Sequence, residues 1–293
     1  MVEQKIYDYL KNNQLITQFL ATYGDAPAVF LQEAPADTSA GWNGAQYGRL
    51  IFGVDYAGDP ERAVSATLWV DVYTHKDGPD PEEIAPIVSK ELDNRFFAEV
   101  DEVIALAWNA TSGFQETRND KLVNGVTLTF DVLFFPKQLT TDPDPVEAVN
   151  RWTKERMRNA LVIGVDDLPD SWTPRETPTI YWRISSIGPG SLYPDTFNCT
   201  WHDVTLNGHF MIDDASTRQT ICKAIIDEMA ASGTVIMSDK SPMFVNRISA
   251  SMANDAIKTG QITVSASYGV LRKYQKAPVL NFANLSEVIK NEG

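Results

Sequence analysis

Apolar and polar positions in the first half of the chain alternate between helical and strand-like spacing. Apolar residues recur at near-helical intervals over residues 4–20, which predicts an N-terminal helix. From Val64 to Tyr73 every second residue is apolar, as in a half-buried strand. The stripe Ile84, Val88 and Leu92 predicts a further helix after the turn-forming residues 77–81. Other strands are predicted at 29–31, 103–108 and 126–135, with Asn124-Gly125 as a hairpin turn.

The second half of the chain shows the same order of patterns. A helix is predicted at 146–162, and the stripe Ile221, Ile225 and Met229 predicts a second one. The predicted strands of this half are 179–184, 204–210, 244–250 and 262–270. Each half also contains a long polar loop, at Ala34–Gly48 and at Pro189–Asn198.

The spacing between matching positions of the two halves is nearly constant. Leu68 lies 138 residues before Leu206, Ile84 lies 137 before Ile221, and Leu128 lies 134 before Ile262. Any two α/β domains of similar size can share such spacing, but the matched order, strand phase and helix stripe favour an internal duplication. The expected fold class is therefore α+β: two similar tandem domains, 1–140 and 141–293, each a mostly antiparallel sheet with packed helices. The proline-acidic stretch Thr140–Pro145 marks the predicted boundary or caps the helix that follows it.

Composition and charge narrow the possible partners. The 293 residues are 43% hydrophobic and 22% charged, as in ordinary globular proteins, so wholesale disorder is not expected. With 25 basic and 39 acidic residues the net charge is −14, which disfavours recognition of nucleic acid and of anionic membranes. We find no apolar run long enough to span a bilayer and no signal-peptide pattern at Met1–Lys5, so a soluble cytosolic protein is expected.

Motifs for catalysis or metal binding are missing from the sequence. The three histidines, His75, His202 and His209, form no paired metal-ligand motif, and Cys199 and Cys222 form no C-x-x-C pair. The chain also contains no nucleophile elbow, phosphate-binding loop or dinucleotide fingerprint. We therefore predict no catalytic, cofactor-binding or metal-binding residues.

One half of the chain resembles a known viral family. An N-terminal helix, the early strand Pro27–Phe30, a long loop, and the strand Leu68–Tyr73 before a proline-led helix look like phage tail-terminator or tail-completion proteins. The segment Gly125–Val132 is similar to the last strand of that family, and Thr179–Trp182 and Gly260–Val264 repeat these signals in the second half. The likeness covers most of the chain as an arrangement of elements, and the chain departs from the family in being doubled.

The resemblance implies a structural role in the virion. In that family a small α+β domain forms a ring, usually a hexamer, that closes the tail tube and meets the head connector. A doubled chain would build a two-tier ring of six chains or a pseudo-hexamer of three. The implied partners are copies of itself, the tail-tube protein and the head connector or neck protein, at the head-proximal end of a tail assembled in the host cytoplasm. The loop residues expected to make contacts are Trp42, Asn43, Tyr47, Arg49, Tyr193, Asp195 and Phe197.

Two alternatives remain open at the level of sequence. One is another phage neck or baseplate component, which is a close variant of the same role. The other is a cytosolic enzyme whose acids, Asp71, Asp131 or Glu91, work in a cleft between the domains. An enzyme requires a concave pocket with convergent polar groups, whereas a ring subunit requires a broad apolar contact surface.

Overall fold

The computed structural model describes residues 2–43, 47–56, 64–75, 79–118, 121–138, 141–196 and 198–272. Five helices lie in these ranges: α1 Val2–Asn12, α2 Gln14–Thr17, α3 Pro81–Leu92, α4 Pro145–Arg156 and α5 Ala215–Ser232. Aspartates Asp80, Asp144 and Asp214 cap α3, α4 and α5, and each accepts a hydrogen bond from a backbone N–H of the first turn. The predicted boundary Thr140–Pro145 therefore includes Asp144, the residue that caps the start of α4.

The described residues also form sixteen strands. In the first half these are β1 Thr22–Tyr23, β2 Ala26–Pro27, β3 Val29–Leu31, β4 Trp42–Asn43, β5 Arg49–Tyr56, β6 Ala66–His75, β7 Phe96–Ala98, β8 Glu102–Arg118 and β9 Lys121–Pro136. In the second half they are β10 Leu161–Val162, β11 Ser171–Trp172, β12 Thr179–Pro189, β13 Cys199–Met211, β14 Thr234–Ile236, β15 Pro242–Ala250 and β16 Ile262–Leu271.

Two large sheets and one small sheet result from the pairing of these strands. The first sheet has the order β11-β7-β8-β9-β6-β5-β3 and the second has the order β10-β12-β13-β16-β15-β14. Only β3 with β5 and β10 with β12 pair in parallel; the other ladders of both sheets are antiparallel. The small sheet has the order β2-β1-β4. The chain is therefore an α+β protein with mostly antiparallel sheets.

Helices cover one face of each large sheet, here called the inner face. Apolar residues of α1, α2 and α3 pack on the first sheet in one buried cluster that includes Ile6, Ile16 and Val88. In the second sheet, α4 and α5 pack in a separate cluster through residues such as Trp152 and Ile225. Alternate residues of β6, such as Leu68 and Val70, join the first cluster from the sheet side, because every second residue of a strand points to the same face.

Strand order is the same in the two large sheets once β11 is set aside. In each sheet a short strand (β3 or β10) lies parallel to the first long strand, and the last strand of the half lies in the middle. Each sheet also contains a β-bulge at the same place, where Asn109 of β8 and Asn246 of β15 are inserted opposite β9 and β16. The amide of Asn109 donates to Asp131 at 2.6 Å, and that of Asn246 donates to Ser267 at 2.6 Å.

Three local predictions are wrong. Asn124-Gly125 lies inside β9, paired with Thr74 and Tyr73, because β8 and β9 run on as a longer hairpin that reverses between 118 and 121. The helix predicted at 146–162 ends at Arg156, and Leu161 and Val162 form β10 instead. The short strands β7 and β14 and the long strand β5 were not predicted, because their apolar runs lack clear alternation.

Candidate functional site

An apolar joint connects the two halves of the chain on the outer face of the first sheet. We use the name joint for the buried cluster of Phe96, Val103, Ala105, Ala107, Leu133, Phe135, Ile163, Trp172, Tyr181, Met211 and Ile257. The first six residues lie on β7, β8 and β9, whereas the other five belong to the second half. Each is at most 8% exposed, so the joint is a third core rather than a loose contact.

Polar contacts also cross the joint. The Tyr181 hydroxyl donates to the carbonyl of Pro136 at 2.9 Å, and the backbone N–H of Ile184 donates to the side chain of Gln138 at 2.7 Å. Lys258 forms an ion pair with Asp131 at 2.5 Å. These bonds fix the relative orientation of the two sheets, because each has a directional requirement that apolar packing lacks.

One strand of the second half joins the first sheet and forms the edge of the joint. Strand β11 follows α4 in the chain but pairs antiparallel with β7, with Trp172 opposite Phe96. The Trp172 ring stacks on Phe96 with centroids 5.5 Å apart, and its indole N–H donates to Thr179 at 2.8 Å. The second half thereby extends the first sheet by one strand.

The same outer face of the second sheet is open. We use the name open patch for Ile236, Pro242, Phe244 and Leu271, which lie on β14, β15 and β16. Ile236 is 58% exposed and Leu271 is 72% exposed, although both are large and apolar. Phe244 is partly covered by its neighbours Tyr193 and Trp201. In the described part of the chain, β14 is the edge strand of the second sheet: β15 pairs with one of its edges and no strand pairs with the other.

The first predicted loop is folded against the outer face of the first sheet. Arg49 is fully buried and forms an ion pair with Asp37 at 2.8 Å. Its guanidinium lies 5.6 Å from the Trp42 ring, 5.8 Å from Tyr47 and 5.2 Å from Tyr73. The structure therefore brings Trp42, Tyr47 and Arg49 together, and Arg49 holds the loop instead of meeting a partner directly.

The rim of this loop is accessible. Trp42 is only partly buried, its ring contacts Tyr23 and Phe30, and its indole N–H donates to the carbonyl of Ala36 at 3.0 Å. Asn43 is exposed and donates to the carbonyl of Gly24 at 2.9 Å. These two predicted residues lie on β4, at the edge of the small sheet.

The second predicted loop lies on the second sheet, apart from the first. Tyr193 stacks on Trp201 with centroids 4.4 Å apart. Asp195 forms an ion pair with Arg272 at 3.0 Å and accepts a hydrogen bond from the backbone N–H of Trp201. Phe197 lies outside the described residues. Tyr193 thus borders the open patch through Phe244.

The three acids of the enzyme hypothesis have different surroundings. Asp71 accepts from Thr127 at 2.6 Å, and burial raises the pKa of Asp71 despite that bond. Asp131 lies in the joint with Lys258. Burial raises the pKa of Glu91, but hydrogen bonds from Tyr9 and Asn13 outweigh this effect and the net shift is downward. The structure does not bring these carboxylates into one pocket.

The cavity between the halves is lined by charges that contact groups of the chain itself. It has a volume of about 360 Å³ and includes Arg175, Asp213, Arg218 and Lys258. Arg175 lies 3.5 Å from Asp213, and Arg218 donates to the carbonyl of Ile212 at 2.6 Å. Lys258 is bound to Asp131 as part of the joint. Of these three contacts, the Lys258–Asp131 ion pair crosses between the halves, and the other two lie within the second half.

His202 and His209 lie on opposite faces of β13, as their separation of seven residues predicts. His202 stacks on Tyr268 of the inner face, whereas His209 lies in the joint beside Tyr181 and Phe135. The His209 ring is 1% exposed, its Nδ1 lies 2.9 Å from the carbonyl of Ala256, and burial lowers the pKa of His209 to about 4. The side chain of His75 lies outside the described residues.

In the ranges described above, no group of three or more His, Cys, Asp or Glu side chains is placed to hold a metal ion. None of the helices described here has the length and apolar content needed to cross a membrane. Models of known protein families and the curated proteins gave no match to this sequence.

The joint and the open patch were missed at the level of sequence. Both are built from residues of separate strands, so neither forms a local motif. A signal was nevertheless present: Trp42 and Trp172 each lie seven residues before the first residue of a long strand, Arg49 of β5 and Thr179 of β12. That shared spacing indicates equivalent loops in the two halves.

Proposed function

We propose that this protein is a structural subunit of a tailed-phage virion that forms a ring with copies of itself at the head-proximal end of the tail. The observation that carries the proposal is the joint: two sheets of one strand order are connected head to tail, and the second sheet leaves the corresponding face open. A heterologous contact of this kind generates a closed ring when its repeated rotation closes. The resemblance of each half to tail-terminator proteins supports the same role.

The proposal includes an internal duplication of one domain. Two independent details support it beyond the strand order. Trp42 and Trp172 occupy the same place in the loop before the first long strand of each half. The bulges at Asn109 and Asn246 have the same position and the same amide-to-next-strand hydrogen bond. Bulges are specific features that families retain, so a shared bulge supports common origin of the halves.

The expected partners are the tail-tube protein and the head connector. The net charge of −14 suits a ring through which DNA passes, because a negative surface does not hold phosphates. The ring would contain three chains in one tier or six chains in two tiers. We propose no catalytic role for any of its acids.

Size-exclusion chromatography with light scattering, followed by negative-stain imaging, tests the proposal on the full chain. The expected result is a ring whose mass is a multiple of 32.6 kDa. Addition of the tail-tube protein of the same virion should shift the ring to a larger complex. A monomer both alone and with tail-tube protein would overturn the proposal.

A further inference from the structure

We infer that the open patch and the edge of β14 that has no partner strand among the described residues dock on the first loop of a second copy of this chain, so that β4 of that copy extends the second sheet. The inference deepens the proposed function and rests on it, because it names the contact between subunits of the ring. Its basis is the joint, which already shows the same contact between the two halves of one chain.

Inside the chain, the loop before β12 supplies the added strand. This loop carries β11, which pairs with the edge strand β7 and brings the buried Trp172 onto Phe96. The loop thus reaches out of the second half to the outer edge of the first sheet. Main-chain hydrogen bonds of this kind add affinity wherever a sheet edge is free.

The loop before β5 is the counterpart in the first half. It carries β4, whose Trp42 has the same seven-residue spacing to the next long strand as Trp172. Strand β4 lies at the end of the small sheet, so one of its edges is free among the described residues. Trp42 is only partly buried, whereas Trp172 is 2% exposed because it has its partner strand.

The edge strand β14 is the counterpart of β7. Each follows the second long helix of its half and pairs with the next strand, β15 or β8. Strand β7 has β11 on its other side, and β14 has none in the described ranges. The outward residue Ile236 of β14 is 58% exposed, while Phe96 of β7 is completely buried. The second sheet therefore presents an incomplete version of the joint.

The surface that would receive the open patch is also present. In the joint, Tyr181 of β12 and Met211 of β13 pack against the first sheet. The equivalent strands β5 and β6 carry Ile51 and Tyr73, which are already buried, together with Trp69 and Asp71. These four residues and residues 32–38 line a cavity of about 530 Å³. Apolar residues of the open patch would fill this concave surface in the neighbouring copy.

Such a contact is head to tail and makes the two halves alternate around the ring. It therefore fits a ring with a single tier, in which every sheet is extended by the loop of the next half. A two-tier ring would place first halves beside first halves and leave β14 without β4. The inference is thus more specific than ring formation itself.

Cross-linking between two singly labelled proteins tests the contact directly. One protein carries Ile236→Cys and the other Asn43→Cys, each with Cys199→Ser to remove the partly buried natural thiol. After mixing and exchange of subunits, a short bismaleimide should join the two proteins. The control replaces Ile236→Cys with Lys223→Cys, whose side chain is 76% exposed on α5. A product in the control at the same yield, or none with Ile236→Cys, would overturn the inference.

A charge placed in the patch provides the second test. Ile236→Asp should reduce the mass in light scattering to that of the monomer, because a carboxylate would be buried at the contact. The matched control is Leu15→Asp, since Leu15 is 55% exposed and lies in the helical layer. If wild-type rings form and Ile236→Asp rings are equally large, the contact is wrong while the ring stands. If the wild type is monomeric, the ring itself fails and this inference fails with it.

Discussion

The outer faces of the two sheets are built on equivalent strands but have opposite surroundings. On β7, β8 and β9 the apolar residues of this face, such as Phe96 and Phe135, are buried by the second half of the chain. On β14, β15 and β16 the same face carries Ile236 and Leu271, which are 58% and 72% exposed. One face is covered by another part of the chain, and the other is exposed in the described part of the structure.

Polar groups on the two faces differ in the same way. Asp131 of the first sheet receives Lys258 from the second half, so its charge is compensated across the joint. At a similar place on the second sheet, Ser267 donates to Asp203 at 2.5 Å. Hydrogen bonds from Ser191 and Ser267 lower the pKa of Asp203, so that carboxylate is stabilised by neighbours of its own sheet. The two halves therefore differ in the burial of their outer faces and not in strand order.

The largest expected effect concerns the two equivalent tryptophans. Trp172→Ala should lower the free energy of unfolding by about 3–5 kcal/mol, because it leaves a cavity beside Phe96 and removes the donor to Thr179. Trp42→Ala should cost only roughly 1–2 kcal/mol, since its ring is partly exposed and loses mainly aromatic contacts. Urea unfolding of both variants measures the difference.

Assembly should respond in the opposite order. Trp42→Ala should weaken the ring in light scattering under conditions where the subunit remains folded, because Trp42 lies on the proposed contact. Equal losses of stability in the two variants would contradict the view that only Trp172 has its partner within the chain.

The second prediction uses His209, which is buried in the joint. Burial lowers the pKa of His209 from 6.5 to about 4, so the unfolded chain binds a proton more readily than the folded chain. Above pH 6.5 the imidazole of His209 is neutral, as the buried site in the fold requires. The free energy of unfolding therefore falls as the pH drops from 6.5 towards 4. The loss reaches roughly 3 kcal/mol at the acid end of this window.

The comparison of wild type with His209→Gln isolates this effect. Glutamine does not titrate, so the difference in unfolding free energy between the two proteins should change with pH between 6.5 and 4. The charge of Arg183 disfavours the protonated imidazole and that of Asp255 favours it, but burial is the largest cause of the lowered pKa of His209. A constant difference across that range would show that His209 is not desolvated in the joint.

Much of the fold could be predicted from the sequence, because inner faces follow local periodicity. Alternation at residues 64–73 and the stripe Ile84, Val88 and Leu92 correspond to β6 and α3. The Asn124-Gly125 turn failed since tertiary pairing with β6 overrides a local turn preference. Local signals therefore predict what each element is, but less well where it ends.

The candidate site could be predicted only in part. Trp42 and Asn43 were predicted because they lie in a long loop, and the contact proposed above includes both. Arg49 was expected to make contacts but is fully buried, because it packs against residues distant in sequence or in its own loop: Asp37, Trp42, Tyr47 and Tyr73. The open patch unites β14, β15 and β16, so only the sheet topology brings its residues together.

The smallest expected effect concerns the two bulge asparagines. Asn109→Ala removes a hydrogen bond to the carboxylate of Asp131 and should cost about 1.5–3 kcal/mol, whereas Asn246→Ala removes a bond to the Ser267 hydroxyl and should cost about 0.5–1.5 kcal/mol. The backbone bulge itself should persist in both, because each inserted residue is held by the ladders on either side. Urea unfolding of the two single variants and of the double variant measures these costs. Because the sites lie in different sheets, the losses should add. Equal losses would mean that the buried charge in the joint does not strengthen the first bulge, and the two halves would then differ in apolar burial alone.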